Sequence, residues 1–199
     1  MLKIVSQNKN LDIMGMFKQT GAILEGHFKL TSGYHSQYYL QCARLLKHPD
    51  LTKKLAEETS NMLSELIDTG DVDLIVSPAI GGIFYGYMIA YSMGTEMIFT
   101  ERKSDQMELR RGFDIKKGQK IVVAEDVVTT GGSVKEVIDI CHKKEAEVMA
   151  VVSIVDRSQE ADFGLPYRSL ISLNIEKFSP QDCPLCKAGV KMDIPGSRK

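Results

Sequence analysis

The sequence has no tryptophan, no excess of either charge and no long hydrophobic run. Its 25 basic and 26 acidic residues give a formal net charge of −1, and the two signs are interspersed along the chain. A near-neutral chain of this kind lacks the basic patch by which proteins bind nucleic acid. No apolar segment is long enough to cross a bilayer, and the N-terminus does not show the pattern of a signal peptide. We therefore expect a cytoplasmic protein with no nucleic-acid or membrane partner.

Cysteine is also scarce, and two of the four cysteines form a single C-x-x-C pair, Cys183 and Cys186. A structural zinc site needs four ligands, and the sequence offers neither a second C-x-x-C nor an H-x-x-x-H motif. We interpret the pair as a structural or redox-sensitive dithiol, and we predict no metal site built from protein side chains. Cys141 falls on the apolar stripe of a predicted helix, where a small buried residue is the simplest interpretation.

The composition indicates one globular domain that spans residues 1–199. Apolar residues make up 43% of the chain and charged residues 26%, which argues against disorder. Between about residues 50 and 155, apolar runs typical of buried strands alternate with helical stripes. This alternation predicts an α/β fold with a doubly wound, mainly parallel sheet flanked by helices. We assign the core to about 50–175 and a small hood to about 1–45 plus the C-terminal tail, which we expect to be irregular.

The most informative segment begins with the apolar run Ile121–Ala124. The run is typical of a strand buried on both faces, and two acids, Glu125 and Asp126, follow it directly. Ser133 and Glu136 have the spacing of a capping box, so we predict that a helix begins at Ser133. The residues between the strand and this helix form a small-residue turn: Thr129, Thr130, Gly131 and Gly132.

The order of strand, acid pair, turn and helix is suited to a phosphorylated sugar. Backbone N–H groups of a glycine-rich turn and the positive end of a helix dipole both favour a phosphate. Ionised Glu125 and Asp126 accept the hydrogen bonds that sugar hydroxyls donate, and carboxylates also suit a metal ion. The alternative is an ordinary βα turn with a capped helix and two solvated acids.

Three further segments follow predicted strands. Ser77–Gly82 is a second small-residue loop before a helix and a second possible anion site. The polar segment 100–113 is too long for a tight turn and could close over a diphosphate; a solvated loop or hairpin is the alternative. Arg157 ends a strand, where it could bind a carboxylate or form a surface salt bridge with Asp156 or Glu160. Because the carboxyl ends of parallel strands share one edge of the sheet, we expect these segments to meet there.

The N-terminal region has a different pattern. A helical stripe between residues 10 and 20 is followed by two aromatic-rich extended segments around Ser32 and Gly33, which predict a hairpin. From the residues alone, this hairpin is a lid or edge ribbon of open purpose. We interpret its histidines, His27 and His35, as structural or hydrogen-bonding residues. After it, a long helix is predicted to start at residues 48–50 and to end at Gly70.

The segment Val123–Ser133 resembles the phosphoribosyl-pyrophosphate (PRPP) signature of type I phosphoribosyltransferases. The Leu-Thr-Ser-Gly of residues 30–33 and Arg157 resemble the orotate phosphoribosyltransferases, and the similarity extends over nearly the whole chain. It implies transfer of the phosphoribosyl group of PRPP to orotate, giving orotidine 5′-phosphate and pyrophosphate, in pyrimidine (UMP) biosynthesis. It also implies Mg²⁺ held mainly by the substrate, and a homodimer whose catalytic loops reach the partner's active site.

The resemblance implies a role for each matched position. Glu125 and Asp126 would hold the ribose hydroxyls, and Lys103 and Arg102 of the catalytic loop would be catalytic. The residues expected to bind orotate are Arg157, Thr129 and Tyr39. The residues expected to contact the phosphate groups of PRPP are Thr129, Thr130, Gly131, Gly132, Ser133, Ser77, Ala79, Gly81, Gly82 and Arg110.

The sequence departs from the better-known bacterial pattern at three lysines, whose places are taken by Thr31, Gly81 and Gln106. A branch of the family with Arg-Arg-Gly after the loop and a Cys-Pro-x-Cys tail is more similar. The residues expected to replace the missing charges are Lys103, Arg110 and Arg111.

Three alternative functions remain open from the sequence. One is a transferase of the same fold that uses a purine or another pyrimidine, and another is a noncatalytic PRPP-sensing regulator. The third takes Glu125 and Asp126 as Mg²⁺ ligands in a phosphatase-like or receiver-like sheet, to which PRPP would be irrelevant.

Overall fold

The structure of the protein, a computed structural model, describes residues 3–6, 11–30, 32–158 and 161–195. The strands are β1 (Lys3–Ser6), β2 (Ile23–Lys29), β3 (His35–Leu40), β4 (Leu74–Pro78), β5 (Glu96–Lys103), β6 (Gln106–Leu109), β7 (Lys120–Val128), β8 (Glu147–Asp156), β9 (Tyr167–Asn174) and β10 (Lys177–Phe178). The helices are α1 (Ile13–Gln19), α2 (Ala43–Leu46), α3 (Pro49–Ser64), α4 (Gly81–Met93), α5 (Gly132–Lys143) and α6 (Pro184–Lys187). Within the described ranges, no helix has both the length and the apolar character that a membrane span requires.

Seven strands form the central sheet, in the order β1-β9-β8-β7-β4-β5-β6. The five inner strands are parallel, whereas β1 and β6 add to the two edges in the antiparallel direction. Parallel neighbours need a crossover connection, and α4 and α5 supply it between β4 and β5 and between β7 and β8. The predicted α/β fold with a doubly wound, mainly parallel sheet is confirmed.

Alternate residues of the inner strands pack on opposite faces of the sheet. In β7, Val122 lies in a buried cluster with Tyr85 of α4, whereas Val123 lies in a second cluster with Cys141 of α5. Successive side chains of a strand point to opposite faces, so a strand covered by helices on both sides is apolar at every position. This explains the continuous apolar run Ile121–Ala124, and Cys141 is the core residue that its position predicted.

The chain leaves β4 and β7 in opposite directions across the sheet. β4 connects through α4 to β5 on one side, and β7 connects through α5 to β8 on the other. β4 and β7 are themselves neighbours, with Val76 opposite Val123. A crevice therefore opens at their carboxyl ends, which is the topological switch point where open α/β sheets bind ligands.

The hood is a separate three-stranded sheet in the order β10-β3-β2. The predicted hairpin is confirmed: β2 and β3 pair antiparallel, and Leu30 N–H donates to the carbonyl oxygen of Tyr34 across the turn (2.8 Å). Thr31, one of the three positions where a lysine was expected, lies outside the described residues.

The described part of the C-terminal tail is mostly irregular, as expected, apart from the short β10 and α6, but it packs against this hairpin. Phe178 of β10 pairs with His35 on one edge. On the other edge, Lys29 N–H donates to Asp193 O (3.0 Å) and Asp193 N–H donates to His27 O (2.7 Å). The tail returns to the hood through contacts distant in sequence, which a local pattern cannot reveal.

The end of the long helix also differs from the prediction. α3 begins at Pro49 but stops at Ser64, and a 3₁₀ turn covers Thr69–Asp71. The Asp68 side chain accepts a hydrogen bond from Gly70 N–H (3.0 Å). Local bonds of this kind compete with a continuing helix, so the chain turns before the predicted end at Gly70.

The segment 100–113 contains a β-hairpin, which was the alternative to an open loop. β5 continues to Lys103, and β6 returns antiparallel from Gln106. Ser104 and Asp105 both have positive φ (49° and 67°), which is typical of a two-residue type I′ turn. Such turns favour Asn-Gly or Asp-Gly, so a Ser-Asp pair gives little signal in the sequence.

Candidate active site

The acid pair lies near the carboxyl end of β7, at the switch point. Glu125 is 8% exposed, and its Oε1 accepts a hydrogen bond from the N–H of Asp126 (3.0 Å). Asp126 is half-buried, and its Oδ1 accepts from the N–H of Val127 (3.0 Å). Each carboxyl group is therefore oriented by the next amide of the strand.

The loop after β4 approaches the acid pair so closely that a side chain at Gly81 would displace the Asp126 carboxyl group. A Cβ atom at Gly81 would lie 2.5 Å from Cγ of Asp126, and one at Gly82 would lie 3.1 Å from the carbonyl oxygen of Ala124. The peptide bond between Ala79 and Ile80 in this loop is cis. The structure thus brings the loop 77–82 into direct contact with the acids.

The close approach of α4 affects the charge of the pair. Burial raises the pKa of Glu125 well above its usual range, and the charge of Asp126 and the hydrogen bond between the two carboxyl groups act in the same direction. The positive end of α4, which begins at Gly81, lies against the same groups and favours negative charge. The two carboxyl groups therefore differ in environment, since Glu125 is buried and Asp126 is half-buried at the rim of the crevice.

The turn after β7 leads into α5 one residue earlier than predicted. Gly131 precedes the helix with φ of 76°, and a Cβ atom there would lie 2.8 Å from the ring of Phe163. The predicted capping box is wrong: in the described part of the chain no side chain caps α5, and the Glu136 carboxylate accepts from Arg102 (2.9 Å) instead of reaching back toward Ser133. The first N–H groups of a helix have no partner within it, so this N-terminus offers donors to an anion.

The hydroxyl-bearing residues of this turn lie next to those donors. Thr129 and Thr130 are exposed, and Ser133 is half-buried in the first turn of α5. Gly132 N–H lies 3.5 Å from Oγ1 of Thr130. The turn therefore presents both backbone and hydroxyl donors at the rim of the crevice.

Arg157 follows β8 and carries an unsatisfied donor. Its backbone N–H donates to the carbonyl oxygen of Val128 (2.8 Å), which ties it to the end of β7. Its side-chain Nε is buried without a hydrogen-bond partner among the described residues. Asp156, one candidate for a surface salt bridge, accepts from Ser158 N–H (2.8 Å) and Ser158 Oγ (2.6 Å) instead; the other, Glu160, lies outside the described residues. A buried guanidinium donor of this kind suits an anionic ligand.

The surroundings of Arg157 join the hood to the core. Burial lowers the pKa of Arg157, and the nearby side chains of Cys42 and Tyr39 act against this effect. Tyr39 on β3 also packs against Phe28, with the ring centroids 5.8 Å apart. A cleft of about 310 Å³ adjoins the arginine; its lining residues are Arg157, Asn174, Ile175, Glu176 and Lys177. The structure thus brings Tyr39 and Arg157 close together, although they are far apart in the sequence.

The arginines in and directly after the β5–β6 hairpin have acidic partners within the protein. Arg102 donates to Glu136 of α5 (2.9 Å) and to the carbonyl oxygen of Asp105 (2.8 Å). Arg110 lies 3.4 Å from Glu101. Arg111 donates two hydrogen bonds to the same carboxylate (2.8 and 3.1 Å), which lower the pKa of Glu101. Lys103 is exposed and pairs with Gln106 across the hairpin.

Sequence reasoning missed Cys42 as a residue of this region. It is 2% exposed, and burial raises the pKa of its thiol well above the usual range, with Asp126 and Glu125 acting in the same direction. Arg157 acts in the opposite direction, so Cys42 is within electrostatic range of both the acid pair and the arginine. No motif surrounds Cys42 in the sequence, so no local signal could have indicated this position.

Comparisons with protein families and with individual proteins agree on the family of this chain. The family model of the phosphoribosyl transferase domain matches residues 42–179. The orotate phosphoribosyltransferase of Thermotoga maritima is 46% identical over 187 residues, which cover 94% of this chain and 98% of that protein. That of Heliobacterium modesticaldum is 45% identical over 195 residues, which cover 98% of this chain and 100% of that protein.

Solved structures share the fold. The orotate phosphoribosyltransferase of Aeropyrum pernix superposes with a TM-score of 0.64 at 25% identity, covering 79% of this chain and 90% of that chain. The UMP synthase of Leishmania donovani superposes with a TM-score of 0.69 at 22% identity, covering 83% of this chain and 36% of that chain, and shows the fold alone. Since the family model spans most of the chain and the relatives match over nearly their full length, the chain belongs to the orotate phosphoribosyltransferase family.

Proposed function

We propose that this chain transfers the 5-phosphoribosyl group from PRPP to orotate, which gives orotidine 5′-phosphate and pyrophosphate in pyrimidine (UMP) biosynthesis. The observation that carries the proposal is the contact between the α4 glycines and the acid pair at the switch point. This contact sets a sugar-binding carboxyl pair beside two helix N-termini, each of which favours a phosphoryl group. The orotate phosphoribosyltransferases that are 45–46% identical indicate the acceptor base.

In the proposed complex, PRPP extends across the crevice. Glu125 and Asp126 bind the ribose hydroxyls. The 5′-phosphate lies at the N-terminus of α5, in contact with residues 129–133, and the pyrophosphate lies at the N-terminus of α4, in contact with residues 77–82. PRPP has a phosphate at one end of the sugar and a diphosphate at the other, so two anion sites with carboxyl groups between them match its shape.

Orotate is proposed to bind beside Arg157. Its carboxylate would accept hydrogen bonds from the guanidinium, whose Nε has no other partner among the described residues. Tyr39 would contact the ring from the hood side, and Thr129 from the phosphate side. Burial without a neighbouring anion lowers the pKa of Arg157, and a bound carboxylate would raise it again.

The reaction breaks the bond between the anomeric carbon and the diphosphate, while the ring nitrogen of orotate attacks the same carbon. Positive charge develops on the ribose and negative charge on the departing diphosphate. The site contributes by holding both reactants in contact and by donating hydrogen bonds to the diphosphate from the loop 77–82. No general base is needed, because the ring nitrogen of orotate can react as an anion.

The donors of the crevice fit Mg²⁺, since carboxylate oxygens of the acid pair lie beside the expected hydroxyl and diphosphate oxygens of PRPP. Bound mainly by the substrate, the ion would supply neutralising charge for the diphosphate. The proposal is that turnover needs Mg²⁺; activity that survives complete chelation would contradict it.

The β5–β6 hairpin is proposed to supply cations to the diphosphate. Gln106 takes the place of the family's principal catalytic lysine, and Lys103 lies directly opposite it. Opposite residues of an antiparallel pair project from the same face, with Cβ atoms about 5 Å apart. Lys103 therefore reaches nearly the same volume as a lysine at position 106 would. Arg102, the preceding residue of β5, projects from the opposite face toward Glu136, and Arg110 directly follows β6.

We also propose a homodimer in which the hairpin reaches the partner's site. The start of α4 and its outer face expose four large apolar side chains in one stripe, Ile80, Phe84, Tyr87 and Tyr91, each more than half exposed. A contiguous apolar surface of this kind is typical of an interface, and a second copy is the commonest partner. Sedimentation equilibrium of the wild type and of Tyr87→Glu tests this, since the variant should shift the mass from dimer to monomer.

The cytoplasm remains the proposed location, and cell fractionation with an antibody tests it.

Loss of orotate absorbance in the presence of PRPP and Mg²⁺ tests the activity directly. Turnover with orotate and none with adenine, hypoxanthine or uracil is expected. Turnover with another base alone would indicate a transferase of different specificity. PRPP binding without turnover of any base would indicate a regulator, and transfer of phosphate from a small donor to Asp126 would indicate the receiver-like alternative.

A further inference from the structure

Four potential metal ligands from distant parts of the chain meet in the hood. His27 on β2 and His35 on β3 face Cys183 and Cys186 at the start of the tail helix α6. Their ligand atoms all lie within 4.8 Å of one another. His27, His35 and Cys183 are buried, whereas Cys186 is exposed and closes the cluster from the solvent side. This cluster supplies the two ligands that the C-x-x-C pair lacked in the sequence.

Four of the six distances between these atoms are close to the edges of a metal-centred tetrahedron. Nε2 of His27 lies 3.1 Å from Nδ1 of His35, 3.6 Å from Sγ of Cys183 and 3.7 Å from Sγ of Cys186. Sγ of Cys186 lies 3.3 Å from Nδ1 of His35. Zinc bonds of about 2.0–2.1 Å to nitrogen and about 2.3 Å to sulfur give tetrahedral edges of roughly 3.3–3.8 Å. Since all four atoms lie within 4.8 Å of one another, a single ion can reach all of them once the most distant ligand atoms move closer by about 1 Å.

A further contact determines which ring nitrogen of His27 carries the proton. His27 is the residue that takes part in three of these four distances. Nδ1 of His27 lies 2.8 Å from the carbonyl oxygen of Val190, which can only accept, so Nδ1 carries the proton. In the neutral imidazole, Nε2 then presents its lone pair to the cluster. Metal-bound histidines characteristically donate their other N–H to a carbonyl or carboxylate in this way.

The cluster has two explanations without a metal. In one, Nδ1–H of His35 donates to Nε2 of His27 and the thiols are bystanders; in the other, the two cysteines form a disulfide. The cysteines are free thiols in the structure. A hydrogen bond between the imidazoles accounts for only one of the four short distances, whereas a central ion accounts for all of them.

We propose that His27, His35, Cys183 and Cys186 bind one Zn²⁺ in a closed, tetrahedral site that joins the C-terminal tail to the hood. Two nitrogen and two sulfur ligands in this geometry are typical of zinc. Binding converts both thiols to thiolates and releases their two protons to the solvent. Because the protein fills all four positions, the site is structural, and it is separate from the Mg²⁺ proposed for PRPP. It revises the interpretation of the pair as a dithiol without metal.

The site explains how a hood of so few strands keeps its shape. The β2–β3 hairpin is flanked by β10 on one edge and Asp193 on the other. Zinc would cross-link the hairpin to α6, which lies between these two flanking segments in the chain. β3 also carries Tyr39, which lies close to Arg157. Loss of zinc is therefore expected to loosen the orotate side of the site more than the PRPP side.

Metal analysis of the purified full-length chain tests the proposal. About one zinc ion per chain is expected in the wild type and in His142→Ala, which alters an exposed histidine outside the cluster. Cys186→Ser is expected to lower zinc affinity by about 100-fold or more. It is the ligand variant least disruptive to packing because Cys186 is exposed. A wild type that neither contains zinc nor takes it up under reducing conditions would overturn the proposal, as would a Cys186→Ser protein that keeps a full equivalent.

Cobalt substitution supplies a readout that does not depend on a variant folding well. Co²⁺ added to the reduced, zinc-free wild type should give the intense visible bands of a tetrahedral ion and a thiolate charge-transfer band, and zinc should bleach both. Thiol titration should show Cys183 and Cys186 protected until a chelator is added. A disulfide between Cys183 and Cys186 in freshly purified protein, or an octahedral cobalt spectrum, would contradict the zinc site.

Discussion

The crevice and the β5–β6 hairpin hold their charges in opposite ways. In the crevice, backbone amides orient Glu125 and Asp126, and the α4 glycines pack against them. In the hairpin, exposed arginines are paired with Glu101 and Glu136 of the same chain. Exposed ion pairs contribute little to stability, so the hairpin cations can exchange a carboxylate for a diphosphate at small cost. The crevice side chains are thus held by backbone contacts, whereas the hairpin cations are held by exposed ion pairs that the proposed role in binding diphosphate would require them to exchange.

The largest effect is expected for Asp126→Asn. The amide keeps the shape of the carboxyl group but loses its negative charge. In the proposed mechanism, the carboxylate accepts hydrogen bonds from ribose hydroxyls and stabilises the positive charge that develops on the sugar. We expect kcat/KM for PRPP to fall by about 100- to 1,000-fold. Asp139→Asn on the exposed side of α5 is the matched control and should retain activity. A loss of less than about threefold at Asp126 would remove the acid pair from the mechanism.

Lys103→Ala tests whether the β5–β6 hairpin takes part in catalysis. If Lys103 contacts the diphosphate only in the transition state, kcat should fall by about 100-fold while KM for PRPP stays the same. Lys116→Ala, a surface lysine in the segment before β7, is the control.

The cross-strand pairing offers a rescue of this variant. Adding Gln106→Lys to Lys103→Ala returns a cation to the same face of the hairpin and should restore part of kcat. A Lys103→Ala enzyme with normal kcat would show that the hairpin does not serve catalysis through this residue.

Sequence patterns were sufficient for the crevice because its parts are local. A strand, an acid pair and a small-residue turn are adjacent in the chain, and the parallel sheet then fixes where their ends meet. The open loop predicted for residues 100–113 is a hairpin in the structure. Its turn is formed by Ser104 and Asp105 without the usual glycine, so little in the sequence indicated it. The capping box failed because Glu136 has a better partner in Arg102. The tail and its cysteines could not be placed, since His27 lies 156 residues from Cys183 and no periodicity connects them.

Arg157→Ala should separate orotate binding from PRPP binding. Removing a charged donor that has a carboxylate partner costs about 1.5–3 kcal/mol, so KM for orotate should rise by roughly 10- to 100-fold with little change for PRPP. Arg168→Ala, an exposed arginine at the start of β9, is the control. Isothermal titration of orotate would show the same difference directly, and equal affinity in Arg157→Ala and wild type would exclude this residue as the carboxylate partner.

The smallest effect is expected for the contribution of Glu125 to the pH dependence of folding stability. Burial raises the pKa of Glu125 in the folded chain, so between the unfolded value, about 4.5, and the raised value the folded state binds the extra proton. Wild-type stability should therefore fall as pH rises through this window, by at most about 1.4 kcal/mol per pH unit from this group. Glu125→Gln cannot ionise and should lose that component, which raises Tm above the wild type at neutral pH by roughly 2–4 °C per kcal/mol recovered. Glu65→Gln, on the surface after α3, is the control. Equal pH slopes for Glu125→Gln and the wild type would show that ionisation of Glu125 in the folded protein carries no cost in stability.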